Sequence, residues 1–326
     1  MAFRPSKVAA MLAAALGACL VEVPARAEEA FPTRPVTLIV PFAAGGTSDV
    51  IARLVADGMG RALGHTLVNE NTAGAGGSTA LTRAARAVPD GYTIAIGNSG
   101  TNAAAYTIYP DIKYKPEDFV AIGLVAKTLP IIAVRKDFPA TDLKGLVAYA
   151  KANPGKLNLG HAGVGSSNYL ICRAFVQAAE IDAQLVSYRG AAPALNDLMA
   201  GTIDGVCDAA ASVSGAIQGN AVRGLVISSP TRLASLPDVP TSAEAGLPGF
   251  QLQGWNVLLA PKGTPAAAID RLNGALRNAV AADAFRKRMD ELGSLPASEE
   301  ELAPAHVEHL ITAEIARFRG LLAAPK

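Results

Sequence analysis

The sequence predicts an α/β fold of two lobes with a ligand cleft between them. Three observations predict it. Short β-branched runs alternate with amphipathic helical patterns from residue 38 onward. The alternation restarts near residue 142, after a long strand-like stretch from Val120 to Val134. A last strand and two helices then return the chain to the first unit. The second unit is therefore inserted in the first, and two chain crossings make a hinge, an arrangement that favours a cleft between the lobes.

The elements follow in order. Leu38–Phe42 reads as a strand. Ser48–Leu63 reads as a helix, with Val50, Ile51, Leu54, Val55, Met59 and Leu63 on one face. Thr66–Asn69 is a short strand, Gly74–Gly77 a loop, Ser78–Val88 a helix and Tyr92–Ile96 a strand. This βαβαβ order implies a parallel sheet with right-handed crossovers. In the second unit, Asp142–Asn153 reads as a helix, Leu157–Leu159 as a strand and His161–Gly165 as a loop, with a helix from Ser166. Gln184–Tyr188 is a strand, Pro193–Ala200 a helix, and Ile203–Asp208 and Arg223–Ser228 are strands. A turn-rich stretch, Pro230–Gly254, leads to a strand at Trp255–Ala260. Helices over about 265–282 and 299–322 close the chain. The expected division is 28–126 with 229–326 for the first lobe and 127–228 for the second.

The N-terminus reads as a leader. Arg4 and Lys7 precede an apolar run, Val8 to Leu20, which is too short for a membrane span, and Ala25-Arg26-Ala27 is a small-x-small cleavage site. Cleavage after Ala27 is the expectation, with residues 1–27 as the signal peptide. Leu16-Gly17-Ala18-Cys19 also resembles a lipobox, which would anchor the chain at Cys19. Without residues 1–27 the basic and acidic counts fall from 29 and 28 to 26 and 27, a net charge of −1. A nearly neutral chain carries no electrostatic footprint for nucleic acid or anionic membrane. Half the residues are hydrophobic and 17% are charged, a composition that supports a large core. Cys172 and Cys207 remain; in an oxidising compartment they could pair, or each could be a small core residue.

Three loops share one grammar: PFAAGGTSD (41–49), NTAGAGGST (71–79) and HAGVGSSN (161–168). Each follows an apolar strand, turns on glycines and enters a helix through Ser, Thr or Asp. Glycine lets the backbone approach a ligand, and free N–H groups at a helix start attract anions. The chemistry fits a carboxylate held mostly by neutral donors. A hydrogen bond to a charged group gives about 1.5–3 kcal/mol and a helix terminus about 0.3–1. Micromolar binding needs about 8 kcal/mol after association costs of at least about 4, so one loop is too little and two lobes are needed.

Sharper motifs are missing. No loop has the Gly-Lys-Ser/Thr of a P-loop, and Gly74-x-Gly76 continues to Thr79 instead of completing a dinucleotide fingerprint. Ser99 lies in Gly97-Asn98-Ser99-Gly100, which is not a nucleophile elbow. His306-Val-Glu308-His309 is not a zinc motif and reads as a solvated helix face. His161, in a candidate cleft loop, reads as a polar lining residue. Asp49 either caps its own helix or orients a ligand, and Asp208 ends a strand, where ligand contacts or a helix cap are expected. Arg189 is the best fixed cation for a second carboxylate, or else a surface ion-pair residue. No cofactor, metal site or catalytic residue is expected.

The stretches RPVTLIVPFAAGGTSDVIAR, NENTAGAGGSTA, PDGYTIAIGNSG, ANPGKLNLGHAGVGSSN, YRGAAPALNDLMAGTID, LPDVPTSAEAGLPGF and LLAPKGTP run in order over nearly the whole chain beyond the leader. Together they resemble the Bug-type substrate-binding proteins of tripartite tricarboxylate transporters. The resemblance implies a periplasmic binding protein of type II, or Venus-flytrap, form. It further implies a monomer that captures a small organic acid for a membrane permease. Carried onto this sequence, Phe42, Ala44, Gly45, Gly46, Ser48, Asp49, Ala75 and Gly76 would cradle a carboxylate, with Asn98, Ser99 and Thr101 beside them. His161, Gly163, Val164, Gly165, Ser166, Ser167, Tyr169, Tyr188, Arg189, Gly190, Ala192 and Asp208 would form the second wall. The chain departs from the family where Ser166-Ser167-Asn168-Tyr169 replaces Ser-Ser-Gly-His, and where Ala209-Ala210-Ala211-Ser212 replaces a bulkier run. Those changes would suit an aromatic or longer carboxylate. The alternatives are a sensor that presents its closed form to a membrane receptor, and a secreted α/β enzyme acting on a carboxylate.

Overall fold

A computed structural model describes residues 31–323; the expected leader and Cys19 lie outside the described residues. The first sheet has strand order β11-β4-β10-β3-β1-β2. Its strands are β1 (Val36–Val40), β2 (Leu67–Asn71), β3 (Thr93–Asn98), β4 (Phe119–Thr128), β10 (Gly254–Pro261) and β11 (Ser294–Pro296). β1 lies parallel between β2 and β3, as the βαβαβ pattern predicts, while β10 runs antiparallel to both β3 and β4. The second sheet is β7-β6-β8-β5-β9, with β5 (Pro130–Arg135), β6 (Leu157–His161), β7 (Ala183–Ser187), β8 (Gly205–Ala209) and β9 (Val222–Ile227). β6 is parallel to β7 and β8, and β5 is antiparallel to β8 and β9.

The strand-like stretch from Val120 to Val134 is two strands, β4 in one sheet and β5 in the other, with Leu129 between them. The long apolar pattern hides the break because both strands are buried; Lys127-Thr128 and Pro130, which brings no N–H, mark it. The return crossing follows β9. There Ser228 N–H donates to Pro130 O at 2.8 Å, and Ser228 Oγ exchanges hydrogen bonds with the backbone of Leu252. The two crossings are thus tied to each other.

Helices fill both faces. α1 (Thr47–Leu63) and α2 (Ser78–Ala85) follow β1 and β2, and the short α3 (Ala105–Ile108) follows β3. α1 buries Ile51, Val55, Met59 and Leu63, the predicted stripe. The second unit carries α4 (Leu143–Ala152), α5 (Ser167–Ala179), α6 (Ala191–Met199) and α7 (Ala210–Gln218). Asp142 caps α4 by accepting from Gly145 N–H, and Ser166 caps α5 by accepting from Tyr169 N–H. The chain closes with α8 (Ala266–Ala281), α9 (Asp283–Glu291) and α10 (Pro304–Ala323). α7, α9 and β11 are not in the sequence reading. α7 is a run of Ala, Ser and Gly with few apolar anchors, and α9 buries only Phe285 and Met289. The last helix starts at Pro304, not Glu299, as a proline suited to the first helical turn dictates.

Cys172 and Cys207 are paired, with Cα atoms 5.2 Å apart, so the disulfide clamps α5 onto β8. The bridge spans 35 residues and both cysteines are fully buried. Loop closure of that length restricts the unfolded chain by about 4 kcal/mol. Replacing both cysteines by alanine is expected to lower unfolding free energy by up to that amount in urea titrations; a change under about 1 kcal/mol would refute the clamp.

Candidate functional site

The two units meet through the ends of their parallel strands. After β1, the loop Pro41–Gly46 is held rigid by Asp49. Its carboxylate accepts from Gly45 N–H at 2.8 Å, Arg53 Nε at 2.9 Å and Asn71 Nδ2 at 2.9 Å. Burial alone would raise the Asp49 pKa, but these three donors hold it below the ordinary value. Asn71 also donates to Phe42 O. Asp49 therefore frames its own loop, and none of these partners is a ligand.

After β3, Asn98 Oδ1 accepts from the N–H groups of Gly100 and Thr101, and Asn98 Nδ2 donates to Ser48 Oγ at 3.3 Å. Asn256, in the middle of buried β10, donates to the same Ser48 Oγ at 3.2 Å. Having accepted two amide donors, the Ser48 hydroxyl keeps its own hydrogen to donate. In the second unit, Ser166 Oγ donates to Gly163 O at 2.6 Å and fixes the loop 161–165.

The two faces touch. A Cβ on Gly76, whose φ is +61°, would lie 1.7 Å from Val164 O, and Tyr109 Oη donates to Val164 O at 2.6 Å. Ala43 N–H donates to Arg189 O at 3.3 Å, and a Cβ on Gly190 would meet Ala43 N at 3.0 Å. The cleft is shut, and it leaves an inner chamber and an outer vestibule. The first unit lines the chamber with Phe42, Gly46, Thr47, Ser48, Asn98, Thr128 and Asn256; the second supplies Ala162, Ser167, Asn168, Ile171, Ala191 and Ala209. The vestibule is lined by Phe42, residues 73–77, Tyr109, residues 162–164 and residues 187–189.

Four helices begin at the chamber. Gly46 to Ser48 open α1, Ser167 and Asn168 open α5, Ala191 opens α6, and Ala209 precedes α7. No side chain caps α1 or α6, so their first N–H groups are not claimed by a side chain, whereas at α7 Ala209 N–H is taken by the Asp208 carboxylate and Ala210 N–H by Leu129 O. The positive ends of four helix dipoles thus converge on one small space whose lining side chains are all neutral.

Among the expected residues, Phe42, Gly46, Ser48, Asn98 and Ser167 line the chamber. Ala75, Gly76, Gly163, Val164, Tyr188 and Arg189 line the vestibule. Ala44, Gly45, Asp49, Ser99, Thr101, His161, Gly165, Ser166, Tyr169, Gly190, Ala192 and Asp208 line neither space. Several of these support the lining: Thr101 Oγ1 donates to Asn102 Oδ1, Ser99 N–H donates to Trp255 O, and Ala192 packs against Gly45. The residues that sequence reasoning missed are Thr128, Asn256, Asn168 and the apolar Ala162 and Ile171. For Asn256 the signal was available, since an amide interrupts the otherwise apolar strand WNVLLA.

Two titratable groups sit directly behind the chamber. Asp208 is buried; its Oδ1 accepts from Asn168 Nδ2 and from Ala209 N–H, both at 2.7 Å. Burial pushes its pKa up to about 6, against the opposing pull of Ser212, Ala209 N–H, Asn168 and Thr47. His161 Nδ1 accepts from Gly163 N–H, so the neutral ring carries its hydrogen on Nε2, and its ring lies 5.2 Å from that of Tyr169. Burial pulls the His161 pKa down to about 4. The Tyr188 phenol donates to Asp197 at 2.7 Å and is pushed up to about 12 by burial and by that carboxylate.

Asp208 and His161 oppose each other in the dependence of stability on pH. A raised carboxyl pKa stabilises the folded protein as pH falls from about 6 to about 4; a lowered imidazole pKa destabilises it as pH falls from about 6.5 to about 4. Each effect is on the order of 3 kcal/mol, so they nearly cancel. Relative to the wild type, Asp208→Asn is expected to lose stability between pH 7 and 5, and His161→Gln to gain it. Urea midpoints at the two pH values check both signs.

The chain matches the family model described as "Tripartite tricarboxylate transporter family receptor" over residues 51–323. It is 37% identical over 312 residues to the UPF0065 protein of the TAR-I ttuE-ttuC' intergenic region of Agrobacterium vitis, covering 95% of this chain and 90% of that one. It is similar to the periplasmic binding protein BugD, with 36% identity, TM-score 0.86, and coverage of 90% and 97% of the two chains. It is likewise similar to MatC from Rhodopseudomonas palustris with bound malate, with 38% identity, TM-score 0.86, and coverage of 90% and 100%. Among the described residues no helix is long and apolar enough to cross a membrane. A two-lobed α/β fold, a polar chamber without cations and these matches together make this chain a member of the tripartite tricarboxylate transporter receptor family.

Proposed function

We propose that the protein is a periplasmic receptor that shuts on one small organic acid and hands it, unchanged, to a membrane permease. The observation that carries this reading is the convergence of four helix N-termini on one chamber, two of which, α1 and α6, have first N–H groups that no side chain claims. A carboxylate there would meet unpaired N–H groups and the free hydrogen of Ser48 without needing a basic side chain. The malate in MatC, a relative of the same fold, supports a carboxylate as the ligand class. Opening and closing would pivot where the chain crosses between sheets, at Leu129 and Ser228, close to the 127 and 228 limits of the expected inserted lobe. The leader through Ala27 would deliver the chain to the periplasm, where it would act as a monomer with no cofactor.

The test is a thermal-shift screen of the chain from Glu28 against di- and tricarboxylates, aromatic acids and amino acids, with the acid recovered afterwards. A true ligand at about 100 times its Kd adds about 2.7 kcal/mol of stability. The expected result is a saturable shift with one acid class and chemically intact acid; conversion of the acid would replace a receptor with an enzyme. Deleting the permease should abolish uptake of that acid and leave binding intact.

Closure supplies a second test. A Cβ on Gly100 would lie 2.4 Å from Ser166 C and Ser167 N, across the meeting faces. Gly100 stands in a right-handed helical turn, so alanine there adds bulk without backbone strain. Gly100→Ala is expected to weaken binding by about tenfold or more, matching an overpacking cost of about 1–3 kcal/mol, and to enlarge the radius of gyration of the ligand-saturated protein. Unchanged affinity would refute the need for contact at this point.

A further inference from the structure

We infer that capture is linked to a proton: an acid anion in the shut chamber is accompanied by one proton, taken from solvent and held by Asp208 behind the chamber wall. This rests on the carboxylate-receptor reading above and deepens it. Asp208 stands next to the end of β8 and is 1% exposed. Its hydrogen-bond partners Asn168 and Ala209 both line the chamber. An anion touching Asn168 therefore stands about 6 Å from the Asp208 carboxyl, two hydrogen-bond lengths away. Two ionised carboxylates that close repel, and a proton that neutralises one of them is bound more tightly.

The wall between them does not relieve the repulsion. Asn168 Nδ2 donates to Cys207 O at 3.1 Å and to Asp208 Oδ1 at 2.7 Å, so both of its amide hydrogens are committed. Ala209 N–H is likewise taken by Asp208 Oδ1. No cation offsets the charge, since among the described residues Asp208 takes part in no ion pair. Of the elements around β8, β5 ends in Arg135, which pairs with Asp137 and Asp204 beyond the opposite end of β8. β6 ends in His161, whose pKa burial holds down at about 4, so its ring is neutral here. α5 carries Tyr169 and Arg173, neither of them a hydrogen-bond partner of Asp208. α6 carries Asp197, which accepts from Tyr188, and α7 has no titratable side chain. In the first lobe Asp49 is tied to Arg53. The groups that pull on the Asp208 carboxyl are Ser212, Ala209 N–H, Asn168 and Thr47, all neutral, and burial outweighs them.

Thr47 gives the proton a use. Its Oγ1, at the start of α1 in the first lobe, is buried, lines the chamber and makes no hydrogen bond, yet it is near enough to act on Asp208 across the shut cleft. Asp208 Oδ1 already accepts two N–H groups, so the proton belongs on Oδ2, where it gives the carboxyl an O–H to donate. Thr47 Oγ1 is the acceptor open to it, and the Thr47 hydrogen then turns to the anion. The proton removes a negative charge from behind the wall and sets a donor in front of it. When the lobes part, water reaches the carboxyl and the proton leaves with the acid.

The experiment is calorimetric titration of the chain from Glu28 with malate, benzoate and glutamate, for the wild type and Asp208→Asn, in phosphate and in Tris. The carboxylates of these three acids stay ionised from about pH 6.5 to 8.5. Across that range wild-type affinity for the acid that binds is expected to fall about three- to tenfold per pH unit, the slope that uptake of about half to one proton requires. The sign follows from the bound form holding a proton that the free form has lost above about pH 6. Near neutrality the heats in the two buffers, which release protons with different enthalpies, should differ by the same uptake. In Asp208→Asn, which imitates the protonated acid, both the slope and the buffer difference should vanish while binding persists. Flat wild-type affinity with equal proton-corrected heats would overturn the proton link and leave the carboxylate receptor standing; this comparison decides even if the variant does not fold. A slope that persists in Asp208→Asn would overturn the assignment to Asp208. If none of the acids bound at any pH, the reading of the site would fall, and this inference with it.

Discussion

The first N–H groups of a helix have no partner within the helix, and the architecture of this protein gathers four such sets at one place. Each βα unit leaves its strand at the carboxyl end and enters its helix over the same edge of the sheet. With two parallel units facing each other, the starts of α1, α5, α6 and α7 point into one chamber. Ser166 caps α5, and Asp208 with Leu129 O takes the first N–H groups of α7, while those of α1 and α6 face the chamber without a side-chain partner, the arrangement that suits an anion. The remaining features serve that arrangement. Asp49 braces the first loop from behind, Ser166 braces the third, and Asn98 with Asn256 turns the Ser48 hydroxyl into a donor. The disulfide between Cys172 and Cys207 anchors α5 to the strand that ends in Asp208, so the second wall stands on a covalent footing.

Small residues make the closed form possible. At Gly76 and Gly100 the two faces approach so closely that a methyl group would collide with backbone, and at Gly190 it would press on Ala43 N at 3.0 Å. The glycines thus do more than permit positive φ: they let peptide groups of the two lobes come into direct contact. Contact of this kind is weak per residue and easily broken, as a receptor that must open again requires. The few direct bonds across the faces, from Tyr109 to Val164 and from Ala43 to Arg189, are single hydrogen bonds to carbonyls. Net contributions of about 1 kcal/mol each make these ties weak.

Much of this was legible in the residues. Periodicity placed α1, α4, α5 and most strands within a residue or two, and the shared Gly-rich grammar marked the three loops that the structure brings to one cleft. The misreadings have common physical causes. β4 and β5 read as one strand because both are buried, and burial erases the alternation that would reveal a break. α7 and α9 were missed because each owes its position to packing, not to an apolar stripe of its own. Asp49 and Asp208 look alike in sequence, each an acid beside a helix start. The first is bound by three donors within its own lobe; the second is buried behind the chamber wall with its pKa raised.

By itself the sequence determined the α/β class, the places of the three Gly-rich loops and the family, because periodicity, glycine placement and motif order are local properties of the chain. Only the tertiary structure decided which donors line the chamber, that Asn256 from β10 joins Asn98 at Ser48, that Cys172 reaches Cys207, and that Phe42 of the first unit clusters with Ala162 and Ala191 of the second. The reason is that each of these contacts joins residues distant in the chain, and some join different lobes. Their geometry follows from how two sheets pack and close, which no local pattern encodes.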